Sequence, residues 1–144
     1  MFVSTAARST SVPGMREAYE TESRAHGHEP GFINLPDADT PSVVFVADDV
    51  ERAWEELGPH IFHDTRMYSA WNAGDETISM VSHAQSLEEL RATSTGYRIM
   101  SVEEASRHVA SGQTLSLAPL CGGIAPEVAW PYLARAAQVC ADAR

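Results

Sequence analysis

Apolar positions along the chain change period several times, and each change marks an element. Val43-Val44-Phe45-Val46-Ala47 is apolar without a break, the pattern of a strand covered on both faces, as in a parallel sheet. Asp48 follows as the expected helix cap, with Glu51 three residues on in a capping-box relation. Ala53, Trp54 and Leu57 then recur at helical spacing, and Gly58-Pro59 is expected to interrupt that helix. A second helical stretch, 60–71, carries Ile61, Phe62, Met67, Tyr68 and Trp71.

Upstream, a helix is expected from about Pro13 to His26, ended by Gly27, with Met15, Ala18, Tyr19 and Ala25 on its buried side. The connector that follows is rich in Pro, Gly and Asp and includes a short strand at Phe32–Leu35. Downstream, Ser86 with Glu89 and Ser101 with Glu104 are two further capping boxes, the second after a short strand at Tyr97–Met100. The stretch TLSLAPLCGGIAPEVAWPYLAR, from Thr114, reads as strand, glycine turn and helix in immediate succession. Leu115 and Leu117 alternate with polar neighbours, and Pro126 suits the first turn of a helix. Val128, Leu133, Ala137 and Cys140 recur at helical spacing, Trp54, Trp71 and Trp130 are expected in the core, and Pro131 predicts a kink. The alternation of helices and strands is what a parallel α/β sheet requires.

The chain has 144 residues, enough for one domain with a real core, here 13–144 behind a flexible segment 1–12. Its net charge of −10 and scattered basic residues argue against a nucleic-acid or anionic-membrane surface. No signal peptide or membrane-spanning run is expected, and two cysteines make no disulfide framework. A soluble, cytoplasmic protein is expected.

Three clusters carry candidate chemistry. His60, His63 and Asp64 share one helical face and could ligate a metal, although the spacing is not His-Glu-x-x-His; hydrogen-bonded or surface histidines are the plainer alternative. Asp64, Arg66 and Tyr68, near Trp71, could line a substrate or cofactor entrance, or be an ion pair with core aromatics. Cys121 could be a nucleophile with its pKa lowered by a helix N-terminus, or a small packed thiol. Gly122 and Gly123 could offer open backbone amides to a flavin carbonyl or phosphate, or form a tight connection that needs positive φ.

The segments VVFVADDVERAWEELGPHIFHDTRMYSAWN, YRIMSVEEA and PLCGGIAPEVAWPYL together resemble the C-terminal half of the luciferase-like flavin-dependent oxidoreductases. The resemblance extends over roughly residues 13–140. It implies a partial (β/α)8 TIM barrel, made of C-terminal β/α units only, and a redox reaction on a small molecule with FMN or coenzyme F420. It implies a cofactor contact at Leu120, Cys121, Gly122 and Gly123, with Asp64, Arg66 and Tyr68 behind it, and no metal. A full barrel takes about 250 residues, so the resemblance also implies a truncated enzyme. Its site would be completed by self-association or by a complementing N-terminal barrel half. The alternative is a non-catalytic remnant of the barrel acting as a folding or interaction module.

Overall fold

The computed structural model describes residues 2–3, 14–34, 40–74 and 80–143. In chain order the elements are β1 (Phe2–Val3), α1 (Met15–Ala25), β2 (Ile33–Asn34), β3 (Val43–Ala47), α2 (Val50–Trp71), α3 (Leu87–Thr93), β4 (Tyr97–Ser101), α4 (Val102–Ala110) and α5 (Pro126–Asp142). A 3-10 turn, Cys121–Gly123, precedes α5. The fold is α/β with parallel pairing: β3 lies beside β4, Val43 opposite Tyr97 and Ala47 opposite Ser101, and β1 pairs with β2 in a separate two-stranded ribbon. Apart from Phe2 and Val3, the expected flexible segment 1–12 lies outside the described residues, as does Leu35 of the expected strand at 32–35.

All five residues of β3 are buried, because its two faces meet two different layers. Phe45, Tyr97 and Ile99 pack against Trp54, Leu57 and Ile61 of α2, Leu90 of α3, and Ile124 and Ala129. Val44, Val46 and Met100 pack on the other side against Ala105 of α4 and against Ala136 and Val139 of α5. The unbroken apolar run of β3 is therefore the sequence trace of a doubly covered strand.

Several local expectations are corrected. Helix α2 runs through Gly58-Pro59 without interruption, from Val50 to Trp71. An interior proline costs about 3 kcal/mol, but Leu57 and Ile61 on either side of it are fully buried. Each such side chain contributes about 1.5–3 kcal/mol, so packing outweighs the lost hydrogen bond. Gly58 is itself buried against Leu87: a Cβ there would lie 2.8 Å from the Leu87 Cδ2.

The cap of α2 is Asp49 rather than Asp48; its carboxylate accepts the Arg52 amide at 3.1 Å. Asp48 instead pairs with Arg135, and Glu51 pairs with Arg91 of α3, whose guanidinium also lies 5.7 Å from the Trp54 ring centroid. The boxes at Ser86 and Ser101 form as expected, each hydroxyl accepting the amide three residues on.

Residues 114–117 form no strand. One backbone bond, Val44 N–H to the Ser116 carbonyl at 2.8 Å, holds them to β3, and Leu117 is exposed. Finally, only Trp54 of the three tryptophans is buried; Trp71 and Trp130 are exposed. The buried stripe of α5 is Ala129, Ala136 and Val139, and Ala137 faces outward. On α1, likewise, Met15 and Tyr19 are half-buried, while Ala18 and Ala25 are exposed.

Candidate functional site

Helical spacing puts His60, Asp64 and Tyr68 on one face of α2, one turn apart. Asp64 is the centre of the arrangement. Its Oδ2 accepts the Tyr97 hydroxyl at 2.7 Å, and its Oδ1 accepts the Gly122 amide at 2.9 Å. The Gly122 carbonyl in turn lies 3.2 Å from His60 Nδ1. A carbonyl only accepts, so this bond requires the proton on Nδ1. The Gly122 peptide is thus gripped at both ends by residues one helical turn apart.

Geometry explains why glycine is present at position 122. Its φ is 59°, in the left-handed region, and a Cβ built there would fall 2.0 Å from the His60 carbonyl oxygen. The turn lies directly on the backbone of α2, where no side chain fits.

Electrostatics follow from burial and the Asp64 charge. Burial, and then the hydrogen bond to Asp64, push the Tyr97 phenol far above its ordinary range. Burial, with Asp64 adding to it, pushes the Cys121 thiol up to about 12. Of the two alternatives for Cys121, the surroundings fit the small packed thiol: it lies in the 3-10 turn, half-buried beside a carboxylate, and stays protonated at neutral pH.

For Gly122 and Gly123 the tight connection with positive φ is the alternative that forms, and the amides are committed within the chain. Gly122 N–H is held by Asp64, Gly123 N–H by the Leu120 carbonyl at 3.3 Å, and Ile124 N–H by the Cys121 carbonyl at 3.2 Å. Leu120 and Gly123 are exposed on the outer side of the turn. The Asp64–Arg66 pairing does not form; the Arg66 guanidinium lies 5.9 Å from the Phe62 ring centroid. His63 is exposed, and among the described residues no group of three or more His, Cys, Asp or Glu converges as metal ligands.

Asp64, Tyr68 and Cys121 do come together, on the wall of a cavity of about 380 Å³ that Ser42, Val43, Ser116 and Leu117 also line. The cavity lies at the amino end of β3, and among the described residues no basic side chain lines it. The ring centroids of Tyr68 and Trp71 lie 5.7 Å apart in an edge-to-face pair. Tyr97 is the member that sequence reading missed. The available signal was a tyrosine where an apolar strand begins: unlike Phe, it carries a hydroxyl that must find a partner when buried.

Comparison of the chain with protein-family models, curated proteins and solved structures finds no match. Among the described residues, no helix is long and apolar enough to cross a membrane.

Proposed function

We propose that this chain is a luciferase-like flavin- or F420-dependent oxidoreductase segment whose cofactor site is completed by association. The association would be with a second copy or with a complementing barrel half. One observation carries the reading. The three stretches that resemble the family are far apart in sequence, and each contributes one member of a single hydrogen-bonded node: Asp64 from the first, Tyr97 from the second, Gly122 from the third. In this reading β3–α2 and β4–α4 are units of a (β/α)8 barrel, and the parallel register of β3 and β4 is consistent with it.

The cavity of about 380 Å³ falls within the range of small-molecule sites, so it can admit part of a flavin-like ring system. Among the described residues it offers no counter-charge to a phosphate, and Asp64 on its wall repels one. In this reading the phosphate-bearing tail is held by residues from another chain, which is why association is part of the proposal. FMN or F420 would supply the redox chemistry. The protein's own groups would shape the pocket: Tyr68 and Leu117 bound it, and the protonated Cys121 thiol leaves no competing nucleophile beside the ring.

A second reading, a non-catalytic barrel module acting through interactions, draws on two observations. The turn amides are committed internally, and the cavity lies at the amino end of β3, whereas α/β enzymes place their sites at the carboxyl ends of strands. Titration of the purified chain with FMN and with F420 separates the two. The oxidoreductase reading expects micromolar binding, weakened when Ser116→Trp fills the cavity. A well-folded chain that binds neither cofactor at millimolar concentration overturns it in favour of the interaction module.

A further inference from the structure

A second cavity, also about 380 Å³, lies at the opposite end of β3, at the carboxyl end of the strand. Its floor is Val46, Ala47 and Asp48; one wall is α2 and the other is α5. One bridge ties the two walls together, and a second ties the α5 wall to the floor. The Tyr132 hydroxyl of α5 donates to Glu56 of α2, and Arg135 of α5 pairs with Asp48 at the end of β3. The cleft is thus preformed, with a width set by hydrogen bonds rather than by a ligand.

Arg52 and Glu127, one on each wall, are left without such a bridge. Among the described residues, neither Arg52 on the α2 wall nor Glu127 on the α5 wall forms an ion pair. Both line the cavity from opposite sides, and both are solvent-exposed. A cleft lined by a guanidinium from one wall and a carboxylate from the other matches a ligand that carries both charges itself. The remaining lining biases that ligand towards extra positive charge. Asp48 is neutralised by Arg135, but Asp49 and Glu56 add two further carboxylates. We infer that the cleft binds a small basic amino acid. Its carboxylate meets Arg52, its α-amine meets Glu127, and its second amine lies towards Glu56 and Asp49. The apolar floor of Val46 and Ala47 faces the aliphatic stem. The inference stands apart from the oxidoreductase reading, since it concerns the other end of the sheet.

The test is calorimetric titration of the intact chain with lysine and with cadaverine, the diamine that lacks the carboxylate. Wild-type protein binds lysine more tightly than cadaverine. Arg52→Ala weakens lysine by about tenfold or more and leaves cadaverine unchanged or tighter, because the carboxylate contact is lost while a cation that repels the diamine is removed. Glu127→Gln weakens both. Circular dichroism confirms that these surface variants stay folded. Absence of lysine binding in the millimolar range overturns the inference. So does cadaverine binding as tightly as lysine, or lysine binding that is unchanged in both variants.

Discussion

The amide of Gly122 donates to the Asp64 carboxylate across 2.9 Å, joining residues 58 positions apart. This one bond seats the turn before α5 on the middle of α2, and the Asp64 carboxylate simultaneously takes the hydroxyl of Tyr97 from β4. Helix, strand and turn are therefore fixed to one another by a single half-buried acceptor group.

Gly122→Ala and Gly123→Ala should differ sharply. Both residues have positive φ, 59° and 76°, so each alanine carries about 1–2 kcal/mol of left-handed strain. At Gly122 the new Cβ also meets the His60 carbonyl at 2.0 Å, whereas at Gly123 nothing lies within 4 Å. Urea denaturation is expected to show a loss above about 3 kcal/mol for Gly122→Ala and about 1–2 kcal/mol for Gly123→Ala. Equal losses would contradict the close approach to α2.

The node is expected to be cooperative. Asp64→Ala strands the Tyr97 hydroxyl and the Gly122 amide, and should cost about 2–4 kcal/mol; Tyr97→Phe should cost about 1–3 kcal/mol. In the double variant the orphaned hydroxyl is gone, so the costs should fall short of additive by about 1 kcal/mol or more. Strict additivity would mean that Asp64 and Tyr97 do not share a bond in solution.

Alkaline pH should weaken the fold through Cys121. Its ordinary pKa of 9.0 rises to about 12 in the folded chain, because burial and Asp64 disfavour the thiolate. The stabilisation is present below pH 9, where both states keep the proton. It is lost as pH climbs from about 9 towards 12, where the unfolded chain ionises first. Stability of wild type should therefore fall faster over that window than stability of Cys121→Ala. In a Cys140→Ala background, iodoacetamide at pH 9 should label folded protein at least about tenfold more slowly than urea-unfolded protein.

Gly58→Ala sets helix propensity against crowding. Alanine gains about 1 kcal/mol in a helix interior, but its Cβ meets the flexible end of Leu87 at 2.8 Å. The net change in wild type should stay within about 1 kcal/mol of zero. With Leu87→Ala in place the clash is absent, and Gly58→Ala should become stabilising by up to about 1 kcal/mol. Thermal melting of the four proteins measures both terms.

Features that depend on neighbours in sequence were readable without a structure. The unbroken run Val43–Ala47, the caps at Ser86 and Ser101 and the proline start of α5 follow from local sterics and hydrogen bonding, and all appear. Asp48 and Asp49 are chemically alike, so local reasoning could not separate the cap from the Arg135 partner, which lies 87 positions away. Pro59 reads as a break until the burial of Leu57 and Ile61 is known. The glycine pair pointed to positive φ correctly, but the destination of its amides depends on Asp64, and no local pattern reports a contact across 58 residues. The grouping of Asp64 with Arg66 failed for the same reason: the partners of Asp64 come from β4 and from the turn.

Sedimentation velocity of the chain mixed with FMN or F420, followed at the visible absorbance of the cofactor, tests the proposed site most directly. The account expects the cofactor to travel with a species heavier than one chain, and to be released when Ser116→Trp fills the cavity. Cofactor that remains at the meniscus while the chain sediments as a well-folded monomer would contradict it.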